Sequence, residues 1–210
     1  MRITTSNRLV ERLSLYRRLL VALMADQAQS VFSHQLSKTT DVTPAQVRRD
    51  MMVIGFSGNP SRGYDVHQLH EAISCMLDSP TMQEVAMVGI GNLGRAILSY
   101  FSGRHARLTI AVAFDADPEK SGRVIHGCRC YPIDALSAQI RERGIRIAIL
   151  AVPADSAQAV AEALIATGIS GIMNFAPVRL RTPASVFVED MDLTTSLEKV
   201  AFFSRRPSQP

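Results

Sequence analysis

Between Asn7 and Ala25, Leu9, Leu13, Tyr16, Leu20 and Leu23 recur at steps of three and four residues with arginines between them, the pattern of a helix with one buried face. Ser33 precedes a shorter helical stretch, His34 to Thr39, and a turn follows at Asp41 to Thr43. Thr43 suits a helix N-cap, and Pro44 suits the first helical position, where its missing donor costs nothing. The next helix therefore opens A-Q-V-R-R-D, with Val47, Met51 and Ile54 as its buried stripe and Gly55 as its stop. Gly58, Asn59-Pro60 and Arg62-Gly63 then mark a tight hairpin-like loop with a basic tip. Val66 to Leu77 reads as one more helix, and Asp78-Ser79-Pro80 is the best boundary in the chain.

From Glu84 onward the pattern changes to strands alternating with helices. Strands are expected at 84–88, 108–114, 145–151, 170–174 and 185–189, and helices at 93–102, 132–143 and 155–167. Such alternation implies an α/β fold, a parallel sheet with helices on both faces. A last helix carries Leu193, Leu197, Val200, Ala201 and Phe203 along one side, and the tail R-R-P-S-Q-P is expected to fray. The divisions are thus 1–80, 84–190 and 191–207.

Composition narrows the classes. The chain has 210 residues, 47% of them apolar and none of them Trp, enough for aliphatic cores. No apolar run reaches the roughly 18 residues of a membrane span, and the N-terminus lacks a secretory pattern. Cys75, Cys128 and Cys130 form no disulfide framework, so a reducing cytoplasm is expected. The net charge of +4 is shared evenly, since residues 1–83 carry nine basic against seven acidic residues. Bulk charge therefore does not identify a nucleic-acid partner. Local clustering says more: Arg2, Arg8, Arg12, Arg17 and Arg18 stand against Glu11 alone in the first eighteen residues. Such a cluster neutralises phosphates, or else is an ordinary solvated helix face.

Residues 84–94 read E-V-A-M-V-G-I-G-N-L-G, a strand followed by G-x-G-x-x-G and then helix. Gly89 permits the strand-to-helix turn, Gly91 lets backbone approach a pyrophosphate, and Gly94 lets helix and sheet pack closely. Ile90, Asn92 and Leu93 lie in the same turn, whose free N–H groups favour phosphates. Asp115, at the end of the next strand, accepts from ribose hydroxyls and repels a 2′-phosphate, which favours NAD(H) over NADP(H). Val152 and Pro153 end one later strand and Asn174, Phe175, Ala176 and Pro177 the next; these loops are expected on the nicotinamide side. The alternative is a glycine turn that holds no ligand, or another phosphate ligand such as coenzyme A.

The first eighty residues suit a helix-turn-helix. Thr43, Gln46, Arg48 and Arg49 fall at the start of the second helix, where arginine reads guanine and glutamine reads adenine. Arg62 would sit at the tip of a wing, on a phosphate or in the minor groove. His34, His67, His70, His105 and His126 complete no metal motif, so no metal is expected. Cys128-Arg-Cys130 has no second pair for zinc, although a thiol switch there is conceivable. No catalytic acid or base and no substrate domain is visible, because the nucleotide fold consumes residues 84–190. A cofactor pocket without substrate machinery points to sensing. The competing reading is a small NAD-dependent oxidoreductase, or a coenzyme A-binding protein, with a helical accessory domain.

Seven ordered segments carry a resemblance. They are R-L-S-L-Y-R-R-L-L (12–20), V-T-P-A-Q-V-R-R-D (42–50), V-G-I-G-N-L-G-R-A (88–96), F-D-A-D-P-E-K-S-G (114–122), A-V-P-A-D-S-A-Q (151–158), G-I-S-G-I-M-N-F-A-P-V (168–178) and D-L-T-T-S-L (192–197). With them the chain resembles the Rex family of redox-sensing transcriptional repressors along nearly its full length. The resemblance implies a cytoplasmic homodimer, each subunit a winged-helix domain, a Rossmann domain and a C-terminal helix swapped onto its partner. It implies operator DNA as partner, and NADH and NAD⁺ as sensed ligands, with NADH releasing the operator. It places Tyr100 near the nicotinamide and pairs Asp192 with Arg18 as a switch. One departure stands out. The family wing reads like G-x-x-G-x-R-G-x-G-Y, whereas residues 55–64 read G-F-S-G-N-P-S-R-G-Y, which moves the arginine toward the tyrosine.

Overall fold

The computed structural model of the protein describes residues 6–103 and 107–205. Arg2, His105 and the tail beyond Arg205 lie outside the described residues. The chain divides into two compact units, Met1–Pro80 and Thr81–Pro210.

The first unit is built on helix α1, Asn7–Ala25, capped by the Ser6 side chain and buried through Leu9, Leu13, Tyr16 and Leu20. A two-residue strand β1, Ser30–Val31, leads into helix α2, Ser33–Thr40. Its N-cap position is Phe32, and Ser33 is already the first helical residue. Asp41 turns the chain with a left-handed backbone, φ 51°. Helix α3, Pro44–Val53, then starts as its sequence demands, with the Thr43 hydroxyl accepting from the Gln46 N–H. Its buried side is Val47, Asp50 and Met51. The loop at 56–63 is closed by an Asn59–Gly63 bridge and continues into strand β2, Tyr64–Asp65. β2 pairs antiparallel with β1, a pairing that the residue pattern did not announce because both strands are only two residues long. Helix α4, Val66–Leu77, packs back on α1. The result is four helices and a small wing around one apolar core.

The second unit is a seven-stranded sheet. Strand β3, Gln83–Val88, is central, flanked by β4, Leu108–Asp115, and β7, Ile147–Leu150, both parallel to it. Outside β7 lie β8, Gly171–Asn174, and β9, Phe187–Asp190, also parallel. Outside β4 lie β6, Cys128–Pro132, parallel, and β5, Val124–Ile125, which pairs antiparallel with β6. The order is therefore β5-β6-β4-β3-β7-β8-β9. Helices α5, Asn92–Phe101, α6, Leu136–Arg143, and α7, Ala154–Ala166, connect the parallel strands. Two apolar clusters, one on each face, make the core.

The β5–β6 hairpin is an addition to the expected strands. Its turn is His126-Gly127, both at positive φ (47° and 81°), as a tight two-residue hairpin requires. Alternation follows it: Cys128 and Cys130 are buried while Arg129 is exposed. Burial pushes the Cys128 thiol up to about 11 and raises that of Cys130 as well. The thiolate that oxidants attack is therefore scarce at both sites.

Helix α8, Leu193–Phe203, has no buried residue. Leu193, Leu197, Val200, Phe202 and Phe203 are each more than half exposed, so the apolar surface is broader than the expected stripe.

Candidate functional site

The sheet order reverses between β4 and β7, so a crevice opens beyond the ends of β3 and β7, where open α/β sheets bind ligands. A cleft of about 580 Å³ lies there, and Gly89, Gly91, Asn92, Leu93, Asp115, Val152 and Pro153 of the expected set line it.

The three glycines do three different jobs. Gly89 has φ 92°, and a Cβ there would lie 2.7 Å from the Ala151 carbonyl carbon. A Cβ on Gly94 would drive into the Gly89 carbonyl and stand 3.0 Å from Met87 Cε. Gly91 meets nothing within 4 Å, so its missing side chain leaves open space at the start of α5. Gly91 is also the N-cap residue of α5, and no side chain caps that end. The free N–H groups and the positive dipole end are thus available to a diphosphate.

Asp115 closes the other side of the cleft. Its Oδ2 accepts from the Ile90 N–H at 2.6 Å and from Lys120 Nζ at 3.1 Å, and its Oδ1 accepts from the Asp117 N–H at 2.9 Å. Burial opposes its charge, but these hydrogen bonds outweigh burial and hold its carboxyl below the usual range. A carboxylate offers about four acceptor positions, so one on Oδ1 remains for a ribose hydroxyl. Lys120, which also pairs with Asp117 at 3.5 Å, is a wall residue that the residue pattern did not single out. Its signal was the D-P-E-K turn, in which Asp117 caps a single turn of 3₁₀ helix and aims the lysine back at Asp115. Ile133, Ser156 and Val160 complete the wall.

Other expected residues fall elsewhere. Ile90 is fully buried and serves through its N–H alone. The Asn174 side chain turns inward, where it donates to the Val178 carbonyl and Asp190 Oδ1 and accepts from the Ala176 N–H. It therefore braces its own loop and presents no polar atom to a ligand. Phe175 packs in the core, Ala176 is buried, and Pro177 is exposed. Tyr100, at the far end of α5, is exposed and stands edge-on to Phe101. None of these six lines the cleft.

In the first unit Arg48, Arg49 and Arg62 are exposed, as a phosphate- or base-reading surface needs. Arg48 donates to Ser33 Oγ at 3.2 Å. Thr43 spends its hydroxyl on the helix cap. Gln46 does not project freely: its Nε2 donates to Asp50 Oδ1 at 2.8 Å. Asp50, only 2% exposed, also takes both Arg12 Nε and Nη2 at 2.7 Å and the Tyr16 hydroxyl at 3.0 Å. Arg12 is therefore half of a largely buried ion pair, neither solvated nor free to meet a phosphate. Arg17 is likewise engaged, paired with Asp78 at 2.6 Å. Arg18 is exposed, and Asp192 caps α8 by accepting from the Thr195 N–H. Among the described residues no group of His, Cys, Asp or Glu is placed to hold a metal, and no helix is long and apolar enough to cross a membrane.

Comparisons with known proteins fit this geometry. Residues 81–178 match the family described as "CoA binding domain", and residues 4–51 match "Putative DNA-binding protein N-terminus". The redox-sensing transcriptional repressor Rex of Lactobacillus acidophilus is 39% identical over 92% of each chain. That of Geobacillus kaustophilus is 38% identical over 95% of this chain and 93% of its own. Among solved structures, RSP in complex with β-NAD⁺ and operator DNA superposes with a TM-score of 0.89 at 30% identity, over 95% of this chain and 92% of that one. RSP in complex with β-NADH superposes at 0.85 over 96% and 94%. RSP is itself described as a Rex-family repressor. Identity of this level across nine-tenths of both chains shows that the chain belongs to the Rex family of redox-sensing transcriptional repressors, proteins that regulate transcription and are not enzymes.

Proposed function

We propose that this Rex-family repressor binds an inverted-repeat operator as a homodimer and leaves it when NADH occupies the crevice beyond β3 and β7. The observation that carries the reading is a cleft built to hold a nucleotide and not to transform one. Its charged lining residues, Asp115, Asp117 and Lys120, are engaged with one another and sit together at the end of β4 and in the turn after it. Two carboxylates against one ammonium favour a free ribose 2′-hydroxyl over a 2′-phosphate, hence NAD(H) over NADP(H). The RSP complexes with NAD⁺ plus operator and with NADH support the same pair of ligands. Residues 1–80 serve as the winged-helix domain, 84–190 as the nucleotide domain and 191–207 as the swapped helix. A protein that acts on DNA in this way works in the cytoplasm.

The test is operator binding followed by gel shift during titration with each nucleotide. NADH is expected to dissociate the complex at a far lower concentration than NAD⁺. Retention of DNA at saturating NADH would reject the reading.

The exposed apolar surface of α8 supports the swap, because side chains of this size left in water cost roughly 1.5–3 kcal/mol each relative to burial. Leu197→Glu with Val200→Glu is expected to yield a monomer in sedimentation and to weaken operator affinity at least ~100-fold, since one half-site alone is then engaged. A dimer that survives both charges would remove α8 from the interface. In the same scheme Arg18 and Asp192 form an ion pair in one state of the dimer and break it in the other.

A further inference from the structure

Asp50 lies on the reading helix yet has no part in reading by itself. Its two oxygens receive four donors: Arg12 twice, Tyr16, and Gln46. That is the full acceptor capacity of a carboxylate. An ionised carboxylate only accepts, so the Gln46 amide has one orientation open to it, Nε2 toward Asp50. Oxygen and nitrogen branch from the same amide carbon, so Oε1 is on the branch turned away from Asp50. Among the described residues no protein group donates to it. Gln46 is the third residue of α3, in the first turn, and the first turn of a reading helix is where side chains meet base edges. Gln46 is partly exposed there.

We propose that Asp50 is the positioning residue that sets base preference at one operator position, by locking the Gln46 amide with its oxygen toward the groove. The base recognised there carries an amino group on its major-groove edge, adenine through N6 or cytosine through N4. Guanine and thymine present a carbonyl oxygen at the same place, which meets Oε1 as a second acceptor. A free glutamine turns its amide over and accommodates both classes; the locked one does not. This inference rests on the operator-binding reading above.

The experiment uses the full chain and an operator that it selects from a randomised inverted-repeat library, read by fluorescence anisotropy. Gln46→Ala is expected to bind that operator but to lose discrimination at one position per half-site, which identifies the position. There, removing the amino group from the DNA, adenine to purine or cytosine to 2-pyrimidinone, is expected to weaken wild-type binding about tenfold. Asp50→Asn keeps the shape of the carboxylate but supplies a donor that Oε1 accepts, so the amide turns over. Its preference for amino over keto bases is expected to fall from about tenfold to below about twofold at that position, with the other positions unchanged. A merely structural role would weaken all positions together. Should Asp50→Asn not fold, the amino-group deletions on wild-type protein still decide. Indifference of wild-type protein to those deletions would overturn the inference while leaving operator binding intact. Failure of the library to yield any operator would overturn the operator-binding reading and this inference with it.

Discussion

Gly94→Ala is expected to abolish nucleotide binding and to lower the stability of the second unit by about 2–4 kcal/mol. The direction is the reverse of the usual one, since alanine in a helix interior gains about 1 kcal/mol over glycine. Gly94 lies inside α5 and fully against the sheet. Its added methyl would enter the Gly89 carbonyl and stand 3.0 Å from both the Gly89 carbonyl carbon and Met87 Cε. The methionine can swing aside, but the backbone cannot. Gly89 is itself pinned, because its N–H donates to the Phe114 carbonyl and a left-handed φ carries it past Ala151. The helix would have to lift from the sheet and take the diphosphate site with it. Gly91→Ala is the control. It meets nothing in the fold, so its melting temperature is expected to equal that of wild type, while its methyl fills the space left for the ligand and weakens NADH binding at least ~10-fold. Calorimetric titration with NADH, beside thermal melts, separates the two. A Gly94→Ala protein with wild-type melting and wild-type affinity would show that close helix packing is not what this glycine provides.

Elements with a strong period were legible in the residue pattern. The alternation of strands and helices after Glu84 located β3, β4, β7, β8 and β9 to within a residue or two, and the capped start of α3 was written in Thr43-Pro44. What escaped was decided by tertiary contact. β1 and β2 are too short to carry a period and exist because the wing folds back on Ser30–Val31. The β5–β6 hairpin had a local signal, a His-Gly turn before alternating Cys128 and Cys130, but a period of two over three residues competes poorly with the helix that follows. The same limit applies to the site. The glycines and Asp115 are bound to a backbone path, so their spacing reveals them. Asn174 and Gln46 carry polar ends that look outward in a list of residues. Which way each turns depends on Asp190 and Asp50, sixteen and four residues away. Asp50 gave no sign of its role, because its main partners, Arg12 and Tyr16, come from α1.

Asp50→Ala is expected to cost about 3–5 kcal/mol, the usual loss when one partner of a buried ion pair is removed. The cost is this large because the substitution strands several groups at once. Arg12 keeps a charge that is mostly out of water, the fully buried Tyr16 loses its acceptor, and Gln46 loses its anchor. A domain of this size has a total stability of about 5–15 kcal/mol, so the first unit would be near its unfolding limit at 37 °C. Operator binding is then expected to disappear, while NADH affinity stays within twofold of wild type, because the second unit has its own cores. The dependence on pH identifies the mechanism. Burial opposes the Asp50 charge, but the hydrogen bonds from Arg12, Gln46 and Tyr16 prevail and its carboxyl sits below the usual value. A depressed carboxyl contributes stability above its unfolded value, about 4, and loses it as pH falls through the lower folded value. Burial and the Asp50 hydrogen bond raise the Tyr16 phenol, whose contribution is present below about pH 10 and is lost as pH rises through the folded value. The stability gap between wild type and Asp50→Ala is therefore widest between those limits and narrows below about pH 4. Urea denaturation of both proteins at pH 7 and pH 3 measures it. A gap of equal size at the two values would mean that the loss comes from packing, and that the charge on Asp50 does not hold the reading helix in place.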